Sequence, residues 1–145
     1  EYGVPPEALG TLCVPATIDN LEQVFGFVHE ELAKRLCPIS TQNQIDIALE
    51  ELFVNICNYA YAGQDEAGMV RLDYVYHANP NSITIQLSDQ GIPFDPLSRE
   101  DPTKPSSIQE AAIGGLGILM TKRSVDDISY LRDGDTNKIV FKKIW

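Results

Sequence analysis

The segment TQNQIDIALEELFVNICNYAYAG, residues 41–63, has the periodicity of a helix with two different faces. One broad arc of this helix is apolar, as in a helix that faces a protein core, and it contains Ile45, Leu49, Leu52, Phe53, Ile56 and Ala60. The opposite stripe is polar and contains Gln44, Glu51, Asn55 and Asn58. Glu51 and Asn55 are one turn apart, so we expect their side chains to point the same way.

The polar stripe has two interpretations. A solvated surface is the ordinary one, but solvated helix faces usually carry Lys and Glu, whereas this stripe carries two asparagines, which are mediocre helix formers. A carboxylate beside an amide is also able to hold a water molecule and a hydrated cation. The stripe therefore indicates a candidate site at Glu51 and Asn55.

Composition predicts one globular domain over residues 1–145. The chain is 43% hydrophobic, which is enough to bury a single core. Its net charge of -10 argues against a nucleic-acid partner, because phosphate binding relies on clustered Lys and Arg. The apolar runs are too short to cross a bilayer and no signal-peptide pattern opens the chain, so we expect no membrane partner and a cytoplasmic protein.

The cysteines favour free thiols. Cys13, Cys37 and Cys57 are odd in number and widely spaced, and the chain has no CxxC pair. Buried free thiols are therefore expected, rather than disulfides or a zinc site.

The order of predicted elements favours an α/β (α+β) two-layer sandwich, because helices alternate with antiparallel hairpins. Asp19 with Glu22, and Thr41 with Gln44, have the spacing of capping boxes, so they predict where the first two helices begin. In chain order we expect a loosely ordered start (1–10), a strand (11–17), a helix ending near Pro38, the central helix (41–63), two strands (69–78 and 82–89), a proline-rich lid (90–113), a helix (114–125) and a hairpin around residues 133–134.

Two glycine-containing stretches flank the lid. Asp89 ends an apolar strand and Gly91 follows it; a plain turn is the ordinary interpretation. A carboxylate in this place is also able to accept a hydrogen bond from an exocyclic amine such as that of adenine, and glycine permits close approach of the ring. The second stretch, GGLG at 114–117, opens a helix, where backbone amides suit a phosphate.

The order and combination of these motifs resemble the GHKL or Bergerat-fold ATPases and, within them, the anti-sigma-factor serine kinases. The similar segments are ELFVN (51–55) with Ala60 and Tyr61 for the N box, DQGIPFDP (89–96) for the first glycine box and GGLGI (114–118) for the second. The resemblance covers roughly residues 11–145. It implies a mixed, mainly antiparallel sheet covered on one face by about three helices.

The resemblance also implies roles for individual residues. Asn55 would coordinate the Mg²⁺ that bridges the phosphates of ATP, and Glu51 would orient or deprotonate the attacking hydroxyl. Asp89 would accept a hydrogen bond from the adenine amine. The other residues expected at the nucleotide are Asn58, Gly91, Gly115 and Gly117.

The function implied by the resemblance is that of an ATP- and Mg²⁺-dependent serine/threonine protein kinase that is also an anti-sigma factor. Its partners would be a sigma factor and a small antagonist protein that it phosphorylates, and a homodimer is possible. The alternative is an ATP-binding switch module that sequesters a protein without phosphotransfer, and a motor-type ATPase module is a weaker third. Glu51 favours the kinase, because a module that only binds has no need of a base.

Some positions depart from the family pattern or stay open. Tyr59 stands where the N box often has His, which would change the packing or the rim of the pocket. The Thr usual near the last strand pair corresponds to either Thr136 or Asn137. The basic candidates for phosphate contact, which are equally consistent with solvated surface charges, are Arg99, Lys104, Lys122 and Arg123.

Overall fold

A computed structural model of the chain describes residues 5–66, 68–98 and 116–145. Its strands are β1 (Ala8–Pro15), β2 (Met69–His77), β3 (Ser82–Asp89), β4 (Asp127–Asp133) and β5 (Thr136–Ile144), and its helices are α1 (Leu21–Lys34), α2 (Ile39–Asn55) and α3 (Leu116–Ser124). Within the described ranges, each helix is too short or too polar to cross a membrane.

The five strands form one sheet in the order β1-β2-β3-β5-β4, and each pair of neighbours is antiparallel. The hairpin β4–β5 therefore inserts its second strand beside β3. This register places Asn137, near the start of β5, directly opposite Asp89, at the end of β3. The α+β sandwich expected from the order of elements is confirmed, and its sheet is antiparallel throughout the described strands.

The core lies between one face of the sheet and the helices. Alternate residues of β2, β3 and β5 are buried, as expected for strands with one covered face. They pack in one cluster with the apolar arc of α2, of which Phe53 and Leu49 are completely buried. The core face predicted for the central helix of residues 41–63 is confirmed, because all six of its residues are buried.

The capping boxes predicted for the two helices are wrong. The Asn20 side chain, just before α1, donates to Pro15 O and Thr17 Oγ1 instead of capping the helix. Pro38 precedes α2, and Thr41 is buried inside the first turn. Pro38 is the N-cap residue, with an extended ψ of 148°, and its carbonyl oxygen accepts from Gln42 N at 2.9 Å, so the helix begins without a side-chain cap.

Two boundaries at the start of the chain also differ from the prediction. β1 begins at Ala8, so residues 8–10 are paired with β2 and not loosely ordered, because the ladder continues from Thr11 to Ala8 opposite Tyr76. Helix α1 ends at Lys34 rather than near Pro38, and Leu36 follows it with a positive φ of 54°.

The central helix changes its winding near its end. Its α-helical part ends at Asn55, and a π-helical turn, Ile56–Ala60, continues it. The predicted helix of residues 41–63 is therefore two consecutive elements. Such π-helical turns are rare in proteins overall, and those that occur are often at functional sites.

All three cysteines are free, and the expectation that all are buried holds only for Cys37, because Cys13 is exposed on β1 and Cys57 is partly buried. Burial raises the pKa of both the Cys37 and the Cys57 thiol to about 11. Since the thiolate is the reactive form, these two should react slowly at pH 8.

We therefore expect a thiol reagent at pH 8 to modify Cys13 in the native protein well before the other two cysteines. Mass spectrometry of proteolytic fragments after brief labelling measures this order. Cys13→Ser should abolish the fast phase and retain the slow one. Equal labelling rates at all three positions in the folded protein would contradict the shielding of Cys37 and Cys57 from solvent.

Candidate functional site

The last turn of α2 carries the predicted carboxylate and amide together. Asn55 Nδ2 donates to Glu51 Oε2 at 3.1 Å. A carboxylate accepts hydrogen bonds, so this contact fixes which end of the Asn55 amide faces Glu51. The amide oxygen of Asn55 is therefore the atom that is available to a cation, which is the ligand type that Mg²⁺ prefers.

Glu51 lies against the first turn of α3. A Cβ added at Gly117 would lie 1.9 Å from Glu51 Oε1, so the carboxylate occupies the space that any larger residue at position 117 would need. Burial raises the pKa of Glu51 above its usual range; the hydrogen bond from Asn55 acts in the opposite direction, and the charge of Glu50 adds to the increase. A carboxylate held partly out of water in this way is a stronger base than a solvated one.

Asp89 ends β3 as a buried carboxylate, 5% exposed. Its Oδ1 accepts hydrogen bonds from Gly91 N and Asn137 Nδ2, each at 2.9 Å. No donor in the described part of the chain is bonded to the other oxygen, Oδ2. Asp89 is therefore held in one orientation through Oδ1, and Oδ2 has lone pairs left for a ligand.

Gly91 allows the loop after β3 to touch the π-helical turn. A Cβ at this position would lie 2.1 Å from the carbonyl oxygen of Ala60, and the next residue, Ile92, donates its N–H to that same oxygen at 2.8 Å. The close approach that requires glycine here is thus a contact between two segments of backbone. It fixes the distance between Asp89 and the end of the central helix.

A small cavity of about 20 Å³ lies between these elements and opens to solvent. Apolar walls with a few polar side chains suit a planar heterocycle that has a few hydrogen-bonding groups. The lining residues are Leu52, Asn55, Ile56, Ala60, Asp89, Phe94, Pro96, Tyr130, Asn137 and Ile139. The carboxylate of Asp89 and the amide of Asn55 thus belong to one cavity.

The side chain of Tyr59, where the family pattern often has His, is exposed. Its ring lies 5.4 Å from that of Phe94, measured between centroids. Since Phe94 lines the cavity, Tyr59 supports one of its walls from outside.

Three residues of the last hairpin belong to the site and were not predicted with their present roles. Asn137 is buried and bonded to Asp89, and Tyr130 lines the cavity with it. Arg132 Nη1 donates to the carbonyl oxygen of Gly91 at 2.8 Å. Of the two residues left open, Asn137 faces inward, whereas Thr136 bonds its neighbour Asp135. In the sequence, the alternation of Asn137, Ile139 and Phe141 is the pattern that indicates an inward-facing Asn137.

Several predicted residues lie elsewhere. Gly115, with Gly114, Arg99 and Lys104, falls outside the described residues. Asn58 is exposed on the π-helical turn and is not part of the cavity lining, so its contact with a nucleotide stays a prediction. On α3, Lys122 is half-buried and Arg123 is exposed, and their contact with phosphate also stays a prediction.

Comparison with known proteins agrees with this geometry. The family model of the histidine kinase-like ATPase domain matches residues 14–143. The chain belongs to this family. The resemblance to the GHKL superfamily is thereby confirmed, and the relatives below agree with the serine-kinase branch that the motifs favoured.

The sequence relatives of this histidine kinase-like ATPase domain include two proteins named serine-protein kinase RsbW. One is from Listeria monocytogenes serotype 4a (strain HCC23) and the other from Listeria innocua serovar 6a (strain ATCC BAA-680 / CLIP 11262). Each is 27% identical over 104 residues, which are 69% of this chain and 64% of the relative. The matched region therefore spans somewhat less than two thirds of the length of these curated relatives.

Solved structures share the fold of this ATPase domain. The structure of the RsbU and RsbW domains of Rv1364c from Mycobacterium tuberculosis has a TM-score of 0.67 at 15% identity, covering 96% of this chain and 33% of the other. The SiaB-SiaC complex from Pseudomonas aeruginosa contains a chain with a TM-score of 0.55 at 14% identity, covering 92% and 89%. At these identities the likeness shows the fold alone.

Proposed function

We propose that this domain is an anti-sigma factor that binds ATP with Mg²⁺. It transfers the γ-phosphoryl group of ATP to a serine or threonine of a small protein that is its antagonist. The observation that carries the proposal is the pair Glu51 and Asn55, which lies against Gly117 at one side of the cavity that also contains Asp89.

The base of the nucleotide would enter the cavity. Asp89 Oδ2 would accept a hydrogen bond from the exocyclic amine of adenine, while Ile56 and Ile139 would contact the ring faces. Asp89 Oδ2 has no donor in the described part of the chain and adenine supplies one, so the residues fit adenine by chemistry.

The phosphates would lie beside the end of α2 and the start of α3. The Asn55 amide oxygen is suited to hold Mg²⁺, which neutralises phosphate charge when bound. Phosphoryl transfer depends mainly on positioning and charge neutralisation, so a fixed amide beside a fixed carboxylate is an appropriate arrangement.

Glu51 would act on the incoming hydroxyl. As the hydroxyl oxygen bonds to the γ-phosphorus and the bond to the β-phosphate oxygen breaks, the hydroxyl proton passes to the Glu51 carboxylate and ADP leaves. The raised pKa of Glu51 supports this role, because proton transfer is most efficient when the pKa of the base is near the working pH.

Relatives named serine-protein kinase RsbW support the kinase, and the SiaB-SiaC complex shows a neighbour of the same fold bound to another protein. We propose a sigma factor and an antagonist as the partners here, with homodimer formation and a cytoplasmic location. The competing function, an ATP-responsive module that binds a protein without phosphotransfer, is distinguished by the experiment below.

We expect the wild-type domain to bind ATP in calorimetry with Mg²⁺ and much more weakly in EDTA. Asn55→Ala should reduce the Mg²⁺-dependent affinity by roughly 30-fold or more, because the cation loses an amide ligand. Asn43→Ala is the matched control, an exposed asparagine near the start of the same helix, and should bind like the wild type.

The kinase is then tested by transfer of labelled phosphate from ATP to candidate antagonist proteins. Binding of ATP without transfer to an antagonist that forms a complex with the domain would favour the switch module. Absence of ATP binding would overturn the proposal altogether.

A further inference from the structure

We propose that Asn137 is the positioning residue for base recognition: it orients Asp89 and fixes the loop after β3 without binding the nucleotide itself. The inference rests on the proposed ATP site. It concerns a buried side chain, 5% exposed, in the second strand of the terminal hairpin.

All four hydrogen-bonding positions of the Asn137 amide are in use. Its Nδ2 donates to Asp89 Oδ1 at 2.9 Å and to Ile92 O at 2.7 Å. Its Oδ1 accepts from Phe94 N at 3.3 Å and from the hydroxyl of Tyr130. A primary amide has two donor hydrogens and two acceptor lone pairs, so none remains for a ligand. Asn137 lines the cavity but has no hydrogen bond left to give to a base.

The orientation of this amide is fixed by its partners. Asp89 and the Ile92 carbonyl offer only acceptors, whereas Phe94 N–H offers only a donor. A rotation of the amide by 180° would put donors against donors and acceptors against acceptors at these three contacts. Asn137 therefore has one stable arrangement, and Asp89 takes its orientation from it.

The effect on Asp89 is directional. With two donors on Oδ1, the carboxylate cannot rotate without losing both bonds, and Oδ2 is the oxygen that remains for an exocyclic amine. A preorganised acceptor loses little conformational entropy when the matching donor binds, so preorganisation improves discrimination between bases as well as affinity.

The same amide fixes one wall of the cavity. Ile92 O and Phe94 N lie on either side of Pro93, so the Asn137 contacts span this part of the loop, and Phe94 supplies an aromatic wall. Arg132, also in the hairpin, holds the loop one residue earlier through Gly91 O. Loss of the Asn137 side chain should therefore loosen the acceptor and the wall together.

The test compares the affinities of ADP and inosine diphosphate, which has a carbonyl oxygen in place of the adenine amine. Wild type should prefer ADP. Asn137→Ala should weaken ADP binding by about tenfold and should lose most of the preference for ADP over inosine diphosphate. The reason is that Asp89 loses a hydrogen-bond donor and the loop after β3 loses two contacts. Thr136→Ala, one residue away and on the opposite face of β5, is the control and should retain both affinities.

Amide hydrogen exchange of Gly91 and Phe94 provides a measurement without nucleotide. Both N–H groups are bonded within this network, so Asn137→Ala should accelerate their exchange while α1 keeps its protection. Tyr130→Phe removes one hydrogen bond from Asn137 and should give a smaller change in both measurements. It replaces Asn137→Ala as the test if that variant folds poorly.

These two measurements distinguish a failure of the positioning role of Asn137 from a failure of the proposed ATP binding. A wild type that binds neither nucleotide overturns ATP binding, whereas the exchange data still test the role of Asn137 in the loop. Unchanged exchange at Gly91 and Phe94 in Asn137→Ala, or an unchanged preference for ADP, overturns the positioning role.

Discussion

Glutamine in place of Glu51 should leave ATP binding nearly intact and reduce phosphoryl transfer by on the order of 10³-fold, because a general base contributes about 10²–10⁴ to the rate of such reactions. Glutamine has nearly the same shape, and its amide oxygen still accepts the hydrogen bond from Asn55. What it lacks is the ability to take the proton of the hydroxyl. Single-turnover transfer to an antagonist, measured beside calorimetric ATP affinity, separates the two effects.

The pH dependence gives a second readout of the same variant. The folded state raises the pKa of Glu51, so this group stabilises the fold fully below its unfolded pKa and loses that contribution as pH rises through the folded value. Phosphoryl transfer should rise over the same pH range, since the base must be ionised. Glu51→Gln should therefore show a higher Tm than wild type at neutral pH and no difference at strongly acid pH.

Glu50→Gln is the matched control, because Glu50 is the exposed neighbour whose charge adds to the raised pKa of Glu51. It should remain active, with the rising limb of its pH profile moved to slightly lower pH. A Glu51→Gln protein with more than about a tenth of wild-type transfer would remove the base from the mechanism, since even the weakest general-base contribution is about a hundredfold.

Asparagine in place of Asp89 should weaken ADP binding by at least about 30-fold and make inosine diphosphate the preferred ligand, because the site would then present a donor where it now presents an acceptor. The reason is that Oδ1 is already committed to Gly91 and Asn137. The new amide oxygen would take the place of Oδ1, and the new NH₂ group would take the place of Oδ2. An NH₂ group repels the adenine amine and matches the carbonyl of hypoxanthine.

Calorimetry with both diphosphates measures the change, and the Tm should move little because both internal bonds are kept. Asp95→Asn is the control: Asp95 is a carboxylate of the same loop that accepts from Leu97 N, and it does not line the cavity. Retained ADP preference in Asp89→Asn would show that Asp89 does not face the base.

The parts of the fold that sequence predicted well are those determined by local periodicity. The apolar arc of α2 and the alternation in β3 depend on the spacing of side chains along one segment, and the structure has both. The starts of α1 and α2 lie within two residues of their predicted positions, but the side-chain caps predicted there did not form. Asn20 bonds to the chain before it and Pro38 begins α2 without a cap, so a spacing that suits a capping box did not form one.

The residues of the site were likewise predictable only where spacing along one segment determines their proximity. Glu51 and Asn55 are one turn apart on one helix, so their proximity could be inferred from spacing. The contact of Glu51 with Gly117 joins segments 66 residues apart in the chain, as their numbers show, and depends on how α3 packs on α2. Asn137 required the β3–β5 register, which fixes its partner and which no single segment specifies.

The contact between Glu51 and Gly117 has a consequence for how this protein can vary through evolution. Because the carboxylate fills the volume that a side chain at position 117 would need, the two positions should be inherited together. A lineage that acquires alanine at position 117 must move the tip of the residue at position 51, which a flexible glutamate does by changing its side-chain torsions. Among homologues we therefore expect a non-glycine residue at the equivalent of position 117 to occur together with a shorter residue at position 51 or with a glutamate whose carboxylate points elsewhere.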